Sequence, residues 1–143
     1  MRTTVRSLLR FMPAALGAAA IGACGGDEVT SITDHTPVTY NLLVNDVAVS
    51  EPYTFTAGQT VRVRIKFFNA EQQDLDPAEG EHFGGLTFNP VSLATVARVT
   101  GHNFQFDVTG GTAGAGTLQV GYGHDELADE ETFTPGSVTI AGP

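Results

Sequence analysis

TVRVRIKFF, residues 60–68, alternates two kinds of side chain: Val61, Val63, Ile65 and Phe67 on one side, Arg62, Arg64 and Lys66 on the other. Successive side chains of a strand point to opposite faces, so this is a strand with one buried face and one wet face. The three positive charges read as a solvated stripe paired with acidic neighbours rather than as a binding surface. The same grammar continues outward. Upstream, Tyr40–Val44 and Val47–Phe55 flank Asn45-Asp46, a two-residue hairpin signal, and Ala57-Gly58-Gln59 turns the chain into residue 60. Downstream, an acidic loop precedes His82–Phe88, Ala94–Val99, Asn103–Val108, Thr117–Tyr122 and Thr132–Ile140. Asn89-Pro90, Thr100-Gly101, Gly110-Gly111, Gly121 with Gly123, and Pro135-Gly136 punctuate these runs. Seven or eight short antiparallel strands at this spacing, with no helical pattern, predict an all-β sandwich. Phe55, Phe67, Phe104, Phe106 and Leu118 are its expected core, and Phe106→Asp is expected to unfold it.

FNPVSLATVARVTGHNFQFDVTGGTAGAGTLQVGYG, residues 88–123, resembles the second half of bacterial immunoglobulin-like domains of the group 2 kind, in which an Asn-Pro-Ser phrase leads to a glycine-rich turn into a strand. FTAGQTVRVRIKFFNAEQQDL, residues 55–75, is similar to the first half. The chain departs from that pattern by an extra residue within NPVSLATV and by an acidic insertion between strands. The resemblance implies an immunoglobulin-like β-sandwich and a surface or adhesive role, and it carries over no catalytic residue. The glycine-rich GGTAGAG is a turn rather than a phosphate loop, since no helix and no closing Lys-Ser/Thr pair follow it.

The first residues set three arginines, Arg2, Arg6 and Arg10, before an apolar run from Phe11 to Ala23. A run of that length is short for a bilayer core of about 30 Å, so it reads as a cleaved signal peptide. Its end, Ile21-Gly22-Ala23-Cys24, resembles the lipobox of bacterial lipoproteins, which implies lipidation of Cys24, the one cysteine in the chain. The expected organisation is residues 1–23 as signal peptide, 24–37 as lipidated cysteine and flexible tether, and 38–143 as the sandwich. Gly25, where an aspartate would signal inner-membrane retention, points to an outer-membrane location in the cell envelope. Acyl chains would hold the domain at the membrane.

Three of the seven basic residues lie in the leader and none of the sixteen acidic ones, leaving four against sixteen, a formal balance of −12. Nucleic acid is excluded as a partner by the lack of a basic footprint. Such acidity attracts cations instead. A monomer is expected, with an envelope protein or a metal ion as candidate partner beside the membrane.

Consecutive strands of such a sandwich run up and down, so alternate loops gather at one end. The loop closed by His82, the turn with His102 and the loop opened by His124 should share a pole, together with Asp76, Asp125 and Glu126. Three imidazoles and a carboxylate suit zinc, nickel or copper, whereas carboxylates alone suit calcium. Neither DLDPAEGE nor GYGHDELADEE carries an established metal motif, and the same residues serve equally well as a solvated acidic turn. His35, in the tether, is expected to be incidental. Ser50, Ser92 and Ser137 stand in no nucleophile motif, and a small sandwich seldom offers the deep apolar cleft that catalysis needs, so no enzyme is expected. The reading is a non-enzymatic, membrane-tethered immunoglobulin-like module that presents its loop pole to a ligand, with a divalent-metal-binding lipoprotein as the alternative.

Overall fold

The computed structural model describes residues 34–75 and 80–143. The leader, Cys24 and Asp76 lie outside the described residues. Among the described residues, ten strands follow one another as β1 (Thr39–Val44), β2 (Val47–Val49), β3 (Tyr53–Thr56), β4 (Thr60–Phe68), β5 (Phe83–Asn89), β6 (Ala94–Arg98), β7 (Gln105–Gly110), β8 (Gly114–Gly123), β9 (Glu131–Thr132) and β10 (Gly136–Ala141). One sheet has the order β2-β1-β4-β7-β6, the other β3-β10-β8-β5 with β9 paired to β8. The described residues form an all-β sandwich of two sheets.

Eight expected runs become ten strands because two of them are interrupted. The run from 47 to 55 breaks at Ser50–Pro52, and its halves join different sheets: β2 pairs with β1, whereas β3 runs parallel to β10, with Val138 opposite Tyr53. The run from 132 to 140 breaks before Gly136, and both halves stay beside β8. Proline has no N–H to give a ladder, so Pro52 and Pro135 fall at both interruptions.

β4 is the centre of its sheet, with Ile65 opposite Leu42 of β1 and Val63 opposite Phe106 of β7. Val63, Ile65 and Phe67 are all fully buried between the sheets, as are Phe104 and Leu118. Phe55 and Phe106 join them, so all five expected core residues are buried. The opposite face of β4 is neutralised residue by residue. Arg62 meets Asp107 at 2.7 Å, Arg64 meets Asp46 at 3.2 Å and Lys66 meets Asp74 at 2.6 Å. Asp46 comes from the β1–β2 turn, where Asn45 and Asp46 both take positive φ as a tight hairpin requires.

At the end of the sandwich where β4 begins, three turns are closed by backbone contact. Gly58 N–H donates to the Gly110 carbonyl, Gly111 N–H to Leu93 and Thr112 N–H to Ser92. A Cβ on Gly110 would lie 2.2 Å from the Thr56 carbonyl oxygen, so only glycine lets these turns meet.

Candidate functional site

The charged pole is assembled around one arginine. Arg98, at the end of β6, donates to the carbonyls of Asn103, Gly84 (2.9 Å) and Glu126 (3.1 Å). Its guanidinium also lies over the rings of Phe83 (5.2 Å) and Phe106 (5.0 Å). The turn after β6, the start of β5 and the loop after β8 are therefore fastened to one another, as the up-and-down connectivity predicts. Burial lowers the pKa of Arg98 from its ordinary value, which the Glu126 charge partly opposes.

GYGHDELADEE anchors on the sheet through Ala128, while residues 124–127 and 129–131 remain exposed. Asp125 accepts the Leu127 N–H at 2.9 Å, and the Ala128 N–H donates to the Asp125 carbonyl. This turn carries Ala128, at φ 49°, into a buried position over β5 and β8, while Leu127 faces out. The approach needs a missing side chain: a Cβ on Gly121 would sit 2.1 Å from the Ala128 carbonyl oxygen. Gly121→Ala is accordingly expected to push the loop off the strands and cost about 1–3 kcal/mol of stability, as overpacking does. Urea unfolding checks the magnitude, and faster amide exchange at Ala128 checks the location. An unchanged midpoint with Ala128 still protected would show that the loop does not rest on Gly121.

Beside this loop is an open cleft of about 460 Å³, lined among others by His35, His82, His124, Tyr122 and Glu130. His82, immediately before β5, is buried at 5% exposure. Its ring stacks on Tyr122 (centroids 5.1 Å apart, planes at 16°) and on His35 (5.4 Å, 15°). His124 lies tilted against it at 4.5 Å. Tyr122 in turn rests on Phe67 at 4.9 Å, so the row of imidazoles grows directly from the core. Asn69, fully buried at the end of β4, holds His35 in place: its side-chain amide donates to the Asp34 carbonyl at 3.1 Å and to the Gln73 side chain at 2.8 Å. The Val38 N–H donates to Phe68 just beyond. Residues 34–37, expected within the tether, thus pack against the sandwich, and Pro37 is buried.

His124 Nδ1 lies 2.6 Å from a Glu130 carboxylate oxygen. That hydrogen bond holds the Glu130 carboxyl below its usual range. Asp34 is lowered likewise, chiefly by the Thr36 N–H that it accepts at 2.9 Å. The Tyr122 phenol is pushed up to about 12, first by burial and then by the Glu130 charge, so it stays protonated. Its hydroxyl is buried and has no hydrogen-bond partner.

The structure brings His82 and His124 together and leaves His102 out. His102 is exposed after β6, with Nδ1 at 3.1 Å from the Gln105 side-chain amide, and it does not line the cleft. The third imidazole is His35, which sequence reasoning dismissed. Asp125 spends its carboxylate on the loop's own backbone, Glu126 contributes its carbonyl to Arg98, and neither lines the cleft. Among the described residues, no three His, Cys, Asp or Glu side chains stand ready as a metal-binding group. Arg98 was missed as well, although one signal was available: it is the single basic residue after the leader that lies outside β4.

No protein-family model matches the chain, and no curated protein matches it in sequence. Among solved structures, the crystal structure of the S-layer protein SbsC domains 4 and 5 is similar, with a TM-score of 0.46 and 15% identity over 74% of this chain. The chain spans about half of that structure's length, 54%.

Proposed function

We propose that this chain is a non-enzymatic, membrane-tethered immunoglobulin-like module of the bacterial cell envelope that presents its loop pole to a ligand. The observation that carries the reading is the contrast between the two poles. One is sealed by uncharged glycine turns in backbone contact. The other is braced by Arg98 and opens into a cleft built from four separate stretches: residues 34–37, 81–82, 122–124 and 130–131. A site drawn from such distant segments on a rigid sandwich is a common solution for binding, because the sheets fix the loops relative to one another.

The tether rests on sequence: Arg2, Arg6 and Arg10, the apolar run to Ala23, and the Ile21-Gly22-Ala23-Cys24 phrase support lipidation at Cys24 and an outer-membrane address. The resemblance to group 2 bacterial immunoglobulin-like domains supports a surface role. Expression of the full chain in a bacterial host fed labelled palmitate tests the tether. Wild-type protein is expected to carry label and sediment with membranes, while Cys24→Ser protein is unlabelled and recovered in the soluble envelope fraction. Unlabelled wild-type protein in the soluble fraction would remove the tether from the reading.

A further inference from the structure

We propose that a groove on the flank of the sandwich, where Tyr40, Tyr53 and Phe133 meet Glu51, binds a quaternary ammonium group. This groove shares no lining residue with the cleft at the loop pole, and its ligand does not depend on what that pole presents.

The groove exists because β2 is short. It covers only residues 42–44 of β1, and the chain then crosses through residues 50–52 to begin β3 in the other sheet. The first half of β1 is left with one uncovered edge. A space of about 360 Å³ opens between it, the start of β3 and the stretch that joins β9 to β10. Each of the three supplies an aromatic ring. Tyr40 and Phe133 meet at 4.9 Å with planes at 68°, which makes a corner, and Phe67 backs Phe133 from the core at 5.9 Å. Both are half-buried, so part of each ring stays accessible, whereas Tyr53 is buried.

The carboxylate of Glu51 is built into this corner. One of its oxygens, Oε2, accepts the Ser137 N–H at 3.0 Å. A carboxylate spreads one charge over two oxygens, so that bond fixes the group without neutralising it. A Cβ on Gly136 would lie 2.7 Å from the carboxyl carbon and 2.9 Å from a ring carbon of Tyr53, so the glycine makes room for the charge beside the ring. No lysine or arginine lines the groove, and Glu51 is its one acidic side chain. Burial first, and then the neighbouring Tyr40, raises the pKa of the Tyr53 phenol above its ordinary value, so that ring stays neutral.

Ring faces carry negative potential and attract cations, and several rings around one cation is the arrangement that holds quaternary ammonium groups. A primary ammonium has three N–H donors to satisfy, which ring faces replace poorly. A quaternary ammonium has no hydrogen bond to lose on leaving water. Its methyl groups match the apolar corner and its charge matches Glu51.

Titration of the full chain carrying Cys24→Ser, with tetramethylammonium and with choline at constant ionic strength, tests this through the amide resonances. Saturable shifts centred on residues 38–40, 51–54 and 133–137 are expected, with a dissociation constant in the millimolar range or tighter. The neutral carbon isostere of choline, with a tert-butyl group in place of trimethylammonium, should not bind. Tyr40→Leu should weaken binding by at least about threefold, the size of one exposed cation–π contact, while Tyr40→Phe keeps the ring and binds as wild type. Glu51→Gln should weaken it by about threefold or more, as loss of an exposed charge pair does. Tyr40→Phe and Glu51→Gln keep the groove filled, so the test stands even where Tyr40→Leu fails to fold. Flotation with phosphatidylcholine vesicles, against phosphatidylglycerol vesicles, distinguishes the source. Co-flotation with the former supports a lipid headgroup, and choline binding without it supports a soluble cation. No saturable shift with either cation overturns the site. So does equal binding of the neutral isostere, a set of shifts centred on His35, His82 and His124, or an affinity unchanged in Glu51→Gln.

Discussion

Ile65→Asp is expected to abolish cooperative folding of the domain. Ile65 is fully buried in β4, opposite Leu42, and the position a Cβ would take on Gly84 lies 3.0 Å from its terminal carbon. A carboxylate there has neither water nor a cation. Keeping it protonated at neutral pH means raising its pKa by about 3–5 units, about 4–7 kcal/mol at 1.36 kcal/mol per unit. Losing the isoleucine's own burial adds about 1.5–3 kcal/mol. The sum is comparable with the whole stability of an ordinary domain, about 5–15 kcal/mol. Far-UV circular dichroism and urea titration read the outcome, and a sharp transition within about 2 kcal/mol of wild type would mean that β4 is not the centre of the sandwich. The same substitution at Phe106 is expected to be milder than the sequence implies. The Arg98 guanidinium lies 5.0 Å from that ring and would meet the new carboxylate.

Phe67→Ala is expected to cost about 3–5 kcal/mol, the range for truncating a buried phenylalanine, and to lower Tm on the order of 10–30 °C. Phe67 is fully buried and touches the rings of Phe104 at 5.2 Å, Tyr122 at 4.9 Å and Phe133 at 5.9 Å. Strands hydrogen-bonded on both sides cannot close over the space left behind, so the cavity persists. Its effect should reach the cleft, because Tyr122 stands between Phe67 and His82. Thermal unfolding measures the first effect, and the ring resonances of His82 report the second. A loss under about 1.5 kcal/mol would show that the core collapses around the missing ring.

The strands were legible because their signal is local. TVRVRIKFF needs no partner to declare which face is buried, and Asn45-Asp46 needs none to declare a tight turn. The pairing of Arg62, Arg64 and Lys66 with Asp107, Asp46 and Asp74 was also foreseen in kind, since an exposed basic stripe on an acidic chain has abundant partners. The two broken runs were not seen. Alternation keeps one phase across Pro52, from Val47 and Val49 to Tyr53 and Phe55, and nothing in it records that β2 and β3 belong to different sheets.

The site was half legible for a related reason. Connectivity correctly sends the loops carrying His82 and His124 to one end, but it says nothing about azimuth around that end. His102 therefore reaches the right pole without joining the cleft, and His35 reaches the cleft from a stretch that lacks any periodic signal.

By itself, the sequence determined the all-β character, the buried face of β4 and the acidity of one pole, because alternation, turn chemistry and formal charge are properties of neighbours along the chain. Which imidazoles meet, that Arg98 braces three segments, and that Gly121 lets the loop lie down were decided only by tertiary structure. Those contacts depend on the relative placement of the two sheets, and a side chain brought in from the far end of the chain leaves no local trace of where it will land.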